Sequence, residues 1–141
     1  MNLFMLDTNM ANYIIKGNPP GARSRLTMLP MDSVVVSAVT QAELFYGLAR
    51  KNHPAALTKL VREFLFRVRV LPWDSDTAVV YGDLRAVCAA SGITLGPLDM
   101  MIAAHAVASR AILATHDKAF SLVPGGILAT EDWVAASSWP P

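Results

Sequence analysis

Short, uniformly apolar runs alternate along the chain with longer stretches whose apolar residues recur at helical spacing, and this alternation sets the predicted architecture. Leu3 to Leu6 is apolar without a polar face, as in a strand buried on both sides. Ser33 to Ser37, built around Val34, Val35 and Val36, is the clearest strand. Val68 to Leu71 and Ala111 to Thr115 read as further strands, and Gly126 to Ala129 as a fifth. Asp7-Thr8-Asn9 offers capping side chains to a helix ending near Gly17, and Pro19-Pro20 opens a short helix that stops before Pro30. From Ala38 to Lys51 the residues Val39, Ala42, Phe45, Tyr46 and Ala49 recur at helical spacing. His53-Pro54 interrupts that run and starts the next helix, which continues to about Phe66. Asp74, Ser75 and Asp76 begin a helix through Cys88 that stops at Ser91-Gly92. Gly96-Pro97 opens another, apolar on nearly every side from Met100 to Ala108 except at His105, which marks a helix at the domain centre.

Strands alternating with helices predict an α/β fold: a three-layer α/β/α domain with a central, mainly parallel sheet of four to five strands. A chain of 141 residues suits one such domain, drawn here as residues 1–136 with a loosely held tail at 137–141. With 53% hydrophobic and 16% charged residues the chain can fill a substantial core and still leave apolar surface for a partner or a second copy. The formal net charge of +1 gives no global basic field, so a polyanion would have to be drawn by local patches. A lone cysteine, Cys88, excludes an internal disulfide and suits a reducing compartment. The segment Met1 to Leu6 lacks a basic start and meets Asp7 too early for a signal peptide, and no apolar run is long enough to span a bilayer. The expected location is cytoplasmic.

The acids can be weighed singly. Asp74 and Asp76 sit at a helix start, Asp32 in a turn, Glu63 and Asp83 inside helices, and Glu131 with Asp132 in a polar stretch, all positions that structure alone explains. Asp7 and Asp117 differ because each directly follows a predicted strand. Asp99 lies in the first turn of the apolar helix, and Glu43 on an early turn of the helix leaving the second strand. In a parallel sheet these positions share the rim beyond the carboxyl ends of the strands, where ligands bind. Two carboxylates 4 Å apart repel by about 1 kcal/mol in water and roughly 4 kcal/mol at an effective dielectric of 20. Their pKa values must rise or a cation must bind. An all-oxygen set without a cysteine or a histidine pair favours Mg²⁺, with Mn²⁺ as a substitute, over zinc. A solvent-open acidic metal site suits hydrolysis of a phosphodiester.

At these residues the chain resembles the PIN-domain ribonucleases and, within them, the VapC toxins of bacterial toxin–antitoxin pairs. Met5-Leu6-Asp7-Thr8-Asn9 is similar to the family's opening strand and first acid. The run from Ser37 to Gly47, including Glu43 and Tyr46-Gly47, resembles the second-acid segment. Tyr81 to Arg85 resembles the helix before the third acid, and Leu98 to Ala106 the helix that carries it as Asp99. Leu113 to Phe120 resembles the fourth-acid strand and turn, and Val123-Pro124-Gly125 and Glu131-Asp132-Trp133 the family's ending. Leu98 departs from the small or polar residue common before the third acid.

The resemblance implies a Mg²⁺-dependent endoribonuclease toxin acting on RNA, with a tRNA as one candidate, and with Asp7, Glu43, Asp99 and Asp117 both catalytic and metal-binding and Thr115 as a minor contributor. It also implies a small antitoxin partner, a homodimer and a larger assembly with antitoxin and DNA. Lys16, Arg23, Arg25 and Lys118 are candidate contacts to RNA phosphates by their position. His105 falls about 240° round its helix from Asp99 and is expected to pack or cap, His116 to face away from Asp117, and Cys88 to be inert core. Trp73, Trp133 and Trp139 are assigned to packing. A phosphoacceptor receiver domain would need an acidic pair after the first strand, and a haloacid-dehalogenase-like phosphatase a second aspartate beside Asp7; both are absent. The remaining alternative is a weakly active or inactive module that acts mainly as a binding partner in an antitoxin and DNA repressor complex.

Overall fold

In a computed structural model, residues 2–134 are described. Five strands, β1 (Phe4–Leu6), β2 (Val34–Ser37), β3 (Arg69–Leu71), β4 (Ile112–Ala114) and β5 (Thr130–Glu131), form one sheet in the order β3-β2-β1-β4-β5. Every pairing is parallel, with Phe4 opposite Val34 on one side and Ile112 on the other. β1 therefore sits at the centre, and its exit places Asp7 in the middle of the carboxyl rim.

Side chains alternate across the sheet into two cores. Phe4, Leu6, Val34 and Val36 pack with residues of α1 (Thr8–Lys16), α2 (Pro20–Thr27), α3 (Ala38–Arg50) and α4 (Ala55–Arg67). Met5, Val35 and Leu113 pack with residues of α5 (Ser75–Ala90) and α6 (Pro97–Ala108). Because β1 and β2 feed both cores, they are buried at every position, which is why Phe4 to Leu6 and Val34 to Val36 carry no polar alternation. In α6, Met100 and Ile102 to Ala106 are buried, as its all-round apolar pattern requires.

Two features depart from the pattern in the sequence. The fifth strand is Thr130–Glu131, not 126–129. Gly125 and Gly126 both have positive φ, 73° and 65°, so they turn the chain, and it reaches β4 only where Ala129 accepts from the Leu113 amide. In α3 the buried face is Val39, Thr40, Leu44 and Leu48. The stripe of Ala42, Phe45, Tyr46 and Ala49 that signals the helix in the sequence faces outward, with Tyr46 67% exposed. The proposed boundary at 136, the tail and Trp139 lie outside the described residues.

Candidate active site

The carboxyl rim receives each acid by a different route. Asp7 ends β1 and caps α1, its Oδ1 accepting from the Met10 amide at 2.8 Å. Asp117 follows β4 and caps the next turn, accepting from the Ala119 amide at 2.9 Å. α6 leads into β4 and so runs against the strands, bringing Asp99 in its first turn back to the rim. Glu43 lies on α3, whose N-cap is Ser37 at the end of β2.

Thr115 joins two of these acids. Its hydroxyl donates to Asp7 Oδ2 at 2.5 Å and accepts from the Asp117 amide at 3.0 Å. Asp7 is nearly sealed from solvent, at 3% exposure. Burial pushes its pKa up to about 6, against the opposing hydrogen bonds from Thr115 and Met10, and the charges of Asp99 and Asp117 push the same way. Asp99 is also raised, by burial first and then by Asp117 and Glu43. These mutual influences connect all the acids selected in the sequence.

The acids do not close into a preformed cage: among the described residues, no group of three or more His, Cys, Asp or Glu side chains is arranged to hold a metal ion unaided. An ion that keeps part of its water shell and takes one or two carboxylates fits this spacing better than one that demands a full protein shell.

Two hydroxyls at the site escaped the sequence reading. Thr8 Oγ1 donates to Glu43 Oε1 at 2.6 Å and lies 3.2 Å from Thr40 Oγ1. The available signal was spacing: Thr8 adjoins Asp7, and Thr40 stands three residues before Glu43, on the same helical face.

Two of the four candidate phosphate contacts are engaged within the fold. The Arg23 guanidinium donates to the Ile14 and Ile15 carbonyls at the end of α1, with Nη2 2.8 Å from Ile14 O. It lies so close to Gly17 that a Cβ there would stand 2.7 Å from Nη1, and Gly17 is itself left-handed at φ 71°. Arg25 pairs with Glu131 at 3.3 Å and lies over the Phe4 and Trp133 rings. Both arginines serve the fold because unsatisfied carbonyls and a buried aromatic pair lie within their reach. Lys16 and Lys118 remain exposed.

The other set-aside residues behave as structure. His105 is buried with Nδ1 2.8 Å from Ser37 Oγ, His116 bonds Asp132 at 2.8 Å, and Cys88 is a buried free thiol. Trp133 is fully buried and donates to Glu131, while the Trp73 indole donates to the Met101 carbonyl.

Comparison with known proteins agrees with the fold. The model of the PIN domain family matches residues 4–126. The chain is 37% identical over 131 residues to the tRNA(fMet)-specific endonuclease VapC of Shigella flexneri, covering 92% of this chain and 97% of that protein. Ribonuclease VapC2 of Rickettsia felis is 31% identical, with 93% and 98% covered. Among solved structures, DNA-bound VapBC from Salmonella typhimurium superposes with a TM-score of 0.85 at 34% identity, covering 94% of this chain and 99% of that one.

Proposed function

The chain belongs to the PIN domain family, and from that premise we propose that it is a metal-dependent endoribonuclease, the toxin of a toxin–antitoxin pair. The observation that carries the proposal is the buried Asp7, whose carboxyl is raised by burial and by the charges of Asp99 and Asp117. Such a carboxylate is at ease only when protonated or beside a bound cation. The residues fit Mg²⁺ or Mn²⁺: the candidate donors are all carboxylate oxygens, the ligands that hard cations prefer.

Asp7, Asp99 and Asp117 would hold the ion, with Thr115 fixing Asp7 relative to Asp117. When bound, the cation supplies charge neutralisation for the phosphodiester and Lewis acidity that favours hydroxide over water at neutral pH. Glu43 orients the attacking water and accepts its proton as the new P–O bond forms. The ester P–O bond to the leaving oxygen then breaks, and that oxygen takes a proton from solvent. Exposed Lys16 and Lys118 draw in the RNA backbone.

A tRNA is the proposed substrate class, supported by the named specificity of the Shigella relative. The outward stripe of Phe45 and Tyr46 on α3, together with Phe66 at 86% exposure, supports a protein partner. We assign that role to a small antitoxin and a second copy of the chain, in an assembly that binds DNA as the VapBC neighbours do. No helix among the described residues is long and apolar enough to cross a membrane. With its free thiol, the protein is proposed to act in the cytoplasm.

Incubation of the purified chain with tRNA in Mg²⁺, in Mn²⁺ and in EDTA tests this function. Cleavage is expected with either cation and not in EDTA. Undiminished cleavage in EDTA, or in both Asp7→Asn and Asp99→Asn, would overturn it.

A further inference from the structure

Glu43 has a long side chain on a partly exposed helical face, yet a proton-accepting role needs its carboxylate in one orientation. The Thr8 hydroxyl has a single hydrogen, and at 2.6 Å it is directed to Glu43 Oε1. With that hydrogen committed, the 3.2 Å contact between Thr8 Oγ1 and Thr40 Oγ1 has Thr40 as donor. The hydroxyls thus form an ordered chain, Thr40 to Thr8 to Glu43. Thr40 is fully buried, so solvent does not compete for its hydroxyl. Donation from Thr40 also makes the Thr8 hydroxyl a better donor to the carboxylate.

We propose that Thr8 is a positioning residue for Glu43, supported by Thr40, and that it holds Oε1 so that Oε2 is the oxygen presented to the attacking water. This inference rests on the ribonuclease reading above. Its geometry spans two strand exits: Thr8 opens α1 after β1, and Glu43 stands on α3 after β2. Asp7 and Thr8 consequently tie the site in opposite directions. Asp7 reaches Thr115 beyond β4, and Thr8 reaches Glu43 beyond β2.

The test compares Thr8→Val, which keeps the shape and removes the donor, with Thr8→Ser, which keeps the donor. Thr40→Val, Glu43→Gln and the double variant Thr8→Val/Glu43→Gln complete the set. Each is measured for kcat and KM on tRNA with Mg²⁺ and for thermal midpoint. Thr8→Val is expected to lose about ten- to a hundredfold in kcat, the size of effect seen when an outer support at a metal site is removed, with KM and the midpoint nearly unchanged. Thr8→Ser should stay near wild type, and Thr40→Val should show a smaller loss in the same direction. In the Glu43→Gln background, Thr8→Val should cost nothing further.

Wild-type cleavage combined with an unimpaired Thr8→Val overturns the inference alone. An equal loss in the Glu43→Gln background, or a Thr8→Ser as poor as Thr8→Val, does the same. A wild-type chain that cleaves no RNA refutes the ribonuclease reading and this inference together. Should Thr8→Val not fold, Thr40→Val at wild-type kcat overturns the inference, and a loss of kcat at unchanged midpoint supports it.

Discussion

His105 and Asp7 are both titratable side chains buried in the same domain, at 2% and 3% exposure, and burial disfavours the charged form of each. The protein resolves the two cases differently. His105 is satisfied from within: Nδ1 meets Ser37 Oγ, and the ring also bonds the Pro72 carbonyl. A neutral imidazole needs nothing else there, since a proline carbonyl only accepts and the Ser37 hydroxyl can donate. Asp7 receives two hydrogen bonds and still stands well above the usual carboxylate value, because burial withholds water from its charge and its neighbours Asp99 and Asp117 are acids too. One buried polar group completes the fold, and the other leaves a charge requirement that only something from outside can meet.

The largest effect that would break this contrast is catalytic. Asp7→Asn or Asp99→Asn should lower RNA cleavage on the order of a thousandfold, about 4 kcal/mol of transition-state stabilisation, while the protein stays folded. His105→Leu should leave cleavage per folded molecule within a few fold. Steady-state cleavage alongside circular dichroism separates the two.

Stability should respond in the opposite sense. The Asp7 pKa in the fold, about 6, exceeds the ordinary aspartate value of 3.8. In metal-free protein this group therefore favours folding fully below pH 3.8, and that contribution is lost as pH rises through 6. Asp7→Asn should accordingly stabilise the metal-free protein at pH 7.5 by up to about 3 kcal/mol, and by little near pH 4. Denaturant unfolding in EDTA at both pH values measures this. Saturating Mg²⁺ should shrink or reverse the difference, because the wild-type site then has its counter-charge.

His105 shifts the other way. Burial holds its pKa below 6.5, so its contribution is present above pH 6.5 and fades as pH falls below it. His105→Leu leaves the Ser37 hydroxyl and the Pro72 carbonyl without the ring, and should destabilise by about 1–3 kcal/mol at neutral pH. A loss of that size with normal cleavage sharpens the contrast, whereas a loss of cleavage at unchanged stability breaks it.

The smallest expected effect separates the cations. Lys118→Ala should weaken RNA binding and reduce the slope of log affinity against log salt by about 1, with the thermal midpoint unchanged. Arg23→Ala should leave that slope alone and lower the midpoint slightly. Fluorescence binding across a salt series shows both.

The sequence made the acids legible because each stands at a strand exit or a helix start, and because parallel strands carry such positions to one rim. β2 was readable from Val34, Val35 and Val36, and α6 from its all-round apolar surface. β5 was misplaced because 126–129 is apolar enough for a strand, while only the left-handed turn at Gly125 and Gly126 decides where pairing begins. Arg23 and Arg25 looked like free cations because no local pattern announces that a guanidinium will meet the carbonyls of Ile14 and Ile15 or the rings of Phe4 and Trp133. Thr8 and Thr40 were passed over because a hydroxyl shows its use only once its distant carboxylate is placed.

Calorimetric titration of Mg²⁺ into wild-type protein and into Asp7→Asn, both freed of metal and held at neutral pH, tests the central claim most directly. The account predicts saturable binding by the wild type and its loss in Asp7→Asn with the fold retained. Equal binding by the two proteins, or no binding by the wild type up to millimolar Mg²⁺, would contradict it.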